Sequence, residues 1–379
     1  MNIQNRPELG PWMTFDLSKE KPVHGWFWYK EGFAPELVDF AIKETAPRTV
    51  LDPFCGVGTS LLACKAAGIE SAGVDASELA VFVSRVKTDD YEKADLEAAL
   101  EFLERRLEPA PEAVWEFELF SARAAFPKRN YGEILALRQA IENEEGRVRN
   151  ILLLALLSVI PQASLVLKDG GVLKIMKGKR ALPAREIFRR KVKRMVRELG
   201  SAPQGHAPKV YLGDARSLEI DSGSVDLVVT SPPYLNNIDY SKIYGLELSL
   251  LQMSKAAAEE VRMRSVRSFI GKRMEVQQMP PEVGDVGYKI PIIATYFRDM
   301  EAAIAEMHRV LAPGGTAHIT VSNSVIHQTH VLVDEIFAEM GLRLGFSDAE
   351  ILVGAERIAD VRPQKVRTRE SVVVLRKGN

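Results

Sequence analysis

Apolar and polar positions follow two rhythms along this chain. Short β-branched runs fall at residues 48–51, 71–74, 209–213 and 225–229, each of strand length and bounded by turn residues. Helix-period stretches lie between them. Residues 35–44 place Leu37, Phe40 and Ala41 on one face behind Pro35, residues 60–67 stop at Gly68, and residues 296–311 end before Pro313-Gly314-Gly315. Strand, glycine turn, helix and strand in that order open a doubly wound parallel sheet. The alternation then stops, and residues 89–200 read as helices. Residues 151–167 are apolar enough to raise a membrane question, but the run is shorter than a span and broken at Pro161-Gln162, so a buried helix is expected. The sheet resumes at residue 209. A helix over 331–340 and strands at 343–346 and 371–375 close the chain. The expected organisation is an α/β domain at 1–88 and 209–379, interrupted by a helical subdomain at 89–208, with a second, smaller excursion at about 250–292 whose pieces 277–281 and 284–287 look like loop.

Composition narrows the class. The chain has 379 residues, 46% apolar and 27% charged, with mean hydropathy −0.07, the profile of a soluble globular protein. Two cysteines, Cys55 and Cys64, cannot staple a chain of this size and point to a reducing compartment. The start shows no basic segment followed by an apolar run, so a cytoplasmic location is expected. The net charge of −1 conceals strong local bias. Residues 89–119 carry eleven acids against three bases, and residues 168–198 carry twelve bases against three acids. Lys174, Lys177, Lys179, Arg180, Arg189, Arg190, Lys193 and Arg194 are therefore expected to meet phosphates. The blander alternative is a solvated helix face, and residues 262–273 form a second basic candidate.

Two motifs carry chemistry. In Asp52-Pro53-Phe54-Cys55-Gly56-Val57-Gly58-Thr59, a strand end leads through a glycine turn into a helix, which brings backbone N–H groups close to a ligand. Such a turn alone also suits NAD or a plain tight bend. Asp75 ends the next strand, where an acid takes ribose hydroxyls; a helix N-cap is the competing role. Thr230-Ser231-Pro232-Pro233-Tyr234 is more specific. Two prolines at a strand end remove two N–H donors and leave carbonyls free. Ser231 adds a hydroxyl and Tyr234 a ring, which together suit a flat group bearing a planar amine.

These motifs, with Phe33 and Pro35 ahead of them, resemble the amino-methyltransferases of bacterial DNA modification. The resemblance covers residues 24–88 and 209–379. It implies a seven-stranded Rossmann-like methyltransferase sheet with one antiparallel strand, S-adenosyl-L-methionine as cofactor, no metal, and DNA with a flipped target nucleotide as partner. It further implies a restriction-modification setting with a cognate endonuclease. Carried over by motif, Phe33 meets the methionine end, and Asp52, Phe54, Gly56, Gly58 and Thr59 form the cradle. Asp75 takes the ribose and Asp214 the adenine edge. Ser231, Pro232, Pro233 and Tyr234 form the catalytic pocket. Ser before Pro-Pro-Tyr points to cytosine N4 over adenine N6. RNA amino-methylation, a non-catalytic nucleic-acid binder and a dinucleotide oxidoreductase are the alternatives. The chain departs from the family in having a large insertion between Asp75 and Asp214, and no target-recognition segment after the sheet.

Overall fold

The computed structural model describes residues 1–107, 122–169, 172–176, 178–200, 202, 205–236, 240–251, 253–268, 279–361 and 364–379. Its strands are β1 (Asn2–Asn5), β2 (Thr49–Asp52), β3 (Glu70–Asp75), β4 (Val166–Asp169), β5 (Val172–Ile175), β6 (Lys209–Leu212), β7 (Val225–Thr230), β8 (Leu311–Ser322), β9 (Ser324–Ile326), β10 (Thr329–Val331), β11 (Phe346–Val361) and β12 (Gln364–Lys377). Eight of them form one sheet in the order β1-β11-β12-β8-β7-β2-β3-β6. Neighbours run parallel except at β12, which is antiparallel to both β11 and β8. The winding reverses between β2 and β7: β3 and β6 lie beyond β2, β8 beyond β7. The crevice at the carboxyl ends of these two strands is where open α/β sheets bind ligands.

Alternation along the strands builds a core on each face. Val50, Leu227, Val229, Val372 and Val374 pack with Leu37, Val38 and Ala41 of the helix Pro35–Thr45. Their neighbours Leu51, Val228, Val373 and Leu375 pack with Tyr296, Phe297 and Phe337 from the helices Pro291–Val310 and Val333–Arg343. A third core joins the helices Lys93–Phe102, Lys128–Glu142, Gly146–Ala163 and Ala184–Leu199 to Val57, Leu62, Leu79 and Val83 beside the glycine turn. Glu198 adds a polar tie, accepting from the backbone N–H of Val23 at 2.9 Å and Trp26 Nε1 at 2.7 Å. The apolar segment lies in Gly146–Ala163, buried, with Pro161 in its last turn. No helix among the described residues is long and apolar enough to cross a membrane.

Three expectations need correction. The sheet has eight strands rather than seven, because β1 adds at the edge of β11. Its four residues are exposed and mostly polar, so no hydrophobic pattern announces it; Gln4 Nε2 donates to Glu350 at 2.5 Å. Arg343 ends a helix rather than starting a strand, and β11 and β12 run sixteen and fourteen residues. Ala349, Glu350 and Ala355 have low β propensity, which pairing with β12 overrides; Glu350 also pairs with β1, and Gly354 falls at a register shift. The stretch at 89–200 also contains the antiparallel hairpin β4–β5. The sequence Asp-Gly-Gly between the two apolar runs is a hairpin signal.

Candidate active site

One cavity of about 520 Å³ opens at the switch point and brings both motifs together. Phe33, Phe54, Gly56, Thr59, Asp75, Asp214, Ser231, Pro232, Pro233 and Tyr234 all line it. Gly58 and Asp52 do not; they lie beneath.

The glycine turn is fixed from several sides. Gly56 and Gly58 have φ of +49° and +76°, which favour residues without a Cβ. A Cβ at Gly58 would come within 2.8 Å of Ser84 Oγ, and one at Gly56 within 3.2 Å of the Tyr29 ring. Ser84 donates to the Gly56 carbonyl at 2.8 Å, and buried Lys87 donates to that of Val57 at 2.8 Å. Burial pushes the Lys87 ammonium down to about 7.

Asp52 is a hub under this turn. Thr230 Oγ1 donates to it at 2.6 Å, the Phe54 N–H at 3.1 Å, and Ser60 Oγ by a short hydrogen bond. It is 1% exposed, and burial pushes it up to about 6 against these three donors. The carboxylate therefore ties the glycine turn to the residue just before Ser231.

Asp75 is half-buried at the end of β3. It accepts the N–H of Gly56 at 2.9 Å and of Ser77 at 2.8 Å. The helix cap weighed for it falls instead to Ser77, which accepts from the Ala80 N–H. Each Asp75 oxygen keeps a lone pair for a ligand hydroxyl, an arrangement that suits a vicinal diol. Burial pushes its pKa up to about 6. Hydroxyl donors favour the ionised form, so affinity for adenosyl ligands should be level above about pH 7 and fall as pH drops below about 6. Asp75→Ala should weaken that binding by about 1–3 kcal/mol. Titration calorimetry across pH checks both, and unchanged affinity would leave Asp75 only the task of holding the turn.

Asp214 is held by Arg216, whose Nη2 lies 2.7 Å from it and whose Nη1 lies 3.0 Å from Asp299. Arg216 also donates to the carbonyls of Met263 and Arg264, so the helix Lys255–Arg264 forms a wall of the cavity. Tyr234 donates from its hydroxyl to Glu370 at 3.2 Å, and Arg357 pairs with the other oxygen of Glu370 at 2.8 Å. Arg357 and Glu370 both line the cavity. So do Tyr29, Glu31 and Tyr244, with Tyr29 and Tyr244 stacked at 5.2 Å. Sequence reasoning missed all of these. The aromatic run at 26–29 was a signal for Tyr29. Glu370 and Arg357 had none, since only the β11–β12 register brings them to the cavity.

The basic stretch at 168–198 is largely engaged within the protein. Lys179 donates to the carbonyls of Pro161 and Val166, Arg189 contacts the Leu103 carbonyl and Glu104, Arg190 pairs with Glu186, and Arg194 with Glu198. Lys177 lies outside the described residues, as do residues 269–278. Arg262 and Arg264, from the second basic candidate, line the cavity.

Sheet order, reversed β12, glycine turn, strand-end acid and Ser-Pro-Pro-Tyr pocket agree with the methyltransferase resemblance carried by the motifs, and the cavity residues fit S-adenosylmethionine. No family model matches the chain. Among solved structures, a SAM-dependent methyltransferase from Methanosarcina mazei is 10% identical, with 87% of this chain and 92% of that one covered and a TM-score of 0.31. Curated relatives are closer in sequence. The chain is 25% identical to the type II methyltransferase M.AvaI of Nostoc sp. over 90% of its length and 82% of the relative's. It is 25% identical to type II methyltransferase M.BsoBI of Geobacillus stearothermophilus over 70% and 60%. A 94-residue segment is 36% identical to type II methyltransferase M.MjaII of Methanocaldococcus jannaschii, covering 23% of this chain and 18% of that protein. The resemblance carried by the motifs thus holds across most of the chain.

Proposed function

We propose that this protein transfers the methyl group of S-adenosylmethionine to the exocyclic N4 of cytosine in DNA. One observation carries the reading: a single cavity joins the Gly56–Asp75 cradle to Ser231, Pro232, Pro233 and Tyr234. The type II methyltransferase relatives support the same class.

The bound cofactor supplies an activated sulfonium methyl, so the chain's own work is positioning. Ser231 Oγ and the Pro232 carbonyl would accept the two hydrogens of the target amine and direct its lone pair. A base inside a duplex must be flipped out to reach them, and the Tyr234 ring would offset part of the lost stacking. Arg262, Arg264 and Arg357, which line the cavity and pair with Glu259, Glu260 and Glu370, would meet the flanking phosphates. Carbon methylation through a cysteine nucleophile has no support here. Burial drives the thiol of Cys55, which lines the cavity from the glycine turn, well above its ordinary range, and pushes Cys64, which does not line it, up to about 12. The segment 89–208 we read as an inserted subdomain that buttresses the glycine turn through the shared core.

Cytosine is favoured by Ser231, a short neutral hydroxyl in the place before Pro232. Nucleoside mass spectrometry of methylated DNA tests this. N4-methylcytosine is the expected product, and N6-methyladenine would overturn the choice of base while leaving the class of enzyme standing.

A further inference from the structure

Five acids line the cavity: Asp16, Glu31, Asp75, Asp214 and Glu370. Four are accounted for. Asp16 pairs with Lys19 at 2.5 Å, Asp214 with Arg216 at 2.7 Å, and Glu370 with Arg357 at 2.8 Å. Asp75 holds two backbone N–H groups and is placed for the ribose. Glu31 remains. It accepts one hydrogen bond, from Tyr244 Oη at 2.8 Å, and no ion pair reaches it among the described residues. The nearby Lys168 spends its charge on Glu247 at 2.8 Å and sits over the Tyr244 ring at 3.7 Å.

The position of Glu31 is defined by its neighbours. Tyr29, two residues before it, packs its ring on Gly56; Tyr244 stacks on Tyr29 and reaches Glu31. Gly56 also gives its N–H to Asp75. Asp75 and the Tyr29–Tyr244–Glu31 group therefore both adjoin the glycine turn by different contacts. Lys168 and Lys30 act on Glu31 from a distance, but neither forms an ion pair with it among the described residues, and a buried carboxylate gains from a cation brought into direct contact by a ligand. Asp52, the acid expected in the cradle, is consumed by Thr230, Ser60 and Phe54 below the turn.

We infer that Glu31 is the cavity's receptor for the α-ammonium of the methionine moiety of S-adenosylmethionine. This deepens the proposed function and rests on it. The Tyr244 hydroxyl fixes the carboxylate, and the stacked Tyr29 ring carries it against the glycine turn. Burial raises the Glu31 pKa, a penalty that an arriving ammonium offsets.

Two neutral thioether ligands isolate this contact. S-adenosylhomocysteine keeps the amino-acid end; 5′-methylthioadenosine lacks it and shares the adenosyl part. Calorimetry on Glu31→Gln should show S-adenosylhomocysteine weakened by about 10- to 100-fold, the range for one charge-assisted hydrogen bond. Methylthioadenosine should stay within about threefold, which also reports that the variant is folded. Glu31→Asp should show a smaller loss confined to S-adenosylhomocysteine. Equal losses for both ligands, or no loss for either, would overturn the inference alone. If the unaltered protein binds neither ligand, the cofactor reading itself fails and takes the inference with it.

Discussion

Replacing Tyr234 by Ala should slow methyl transfer to DNA by about 5- to 150-fold under single-turnover conditions. That range corresponds to the roughly 1–3 kcal/mol that one base–aromatic stack contributes. On the proposed reading the ring stacks on the base, so the defect should follow the aromatic face rather than the hydroxyl. Tyr234→Phe keeps the face and loses only the 3.2 Å hydrogen bond to Glu370, and should retain most of the rate. Affinity for S-adenosylhomocysteine should stay within about twofold in both variants. If Phe and Ala are equally impaired, Tyr234 acts through Glu370 and not by stacking.

The second large effect is on the fold. Asp52→Ala should lower stability by about 2–4 kcal/mol, because Thr230, Ser60 and the Phe54 N–H lose a shared acceptor in a buried place. Asn at the same position still offers a carbonyl to Thr230 and Phe54, so Asp52→Asn should lose about 1 kcal/mol. Urea denaturation measures both. Within the folded fraction, Ala should also impair transfer, since Asp52 links the cofactor turn to the strand that carries Ser231. An Ala variant within about 0.5 kcal/mol of the parent would show that the hub is dispensable.

What could be read from the sequence was local. The glycine turn, the Asp at the end of β3 and the Pro-Pro strand end are short motifs whose geometry is set by their own backbone, and each falls at the switch point. Strand β7 matches the run that pattern reading places there, because Val225 and Leu227 to Val229 are apolar and buried. What stayed hidden depends on long-range pairing. Glu370 reaches Tyr234 from a strand 136 residues away, and Tyr244 reaches Glu31 across 213 residues. No spacing rule connects such partners. β1 escaped notice because an edge strand with four exposed side chains has no hydrophobic signature. For the basic stretch, a charge count includes Glu186 and Glu198 without showing that the helix sets them one turn from Arg190 and Arg194, where they pair at i, i+4.

The most direct test is transfer of label from methyl-tritiated S-adenosylmethionine into nucleic acid by the purified protein. Incubation with duplex DNA containing all short sequence contexts should place label in acid-precipitable, DNase-sensitive material, with none in RNA. Label confined to RNA, or none in either polymer from a protein that binds S-adenosylhomocysteine, would contradict the account.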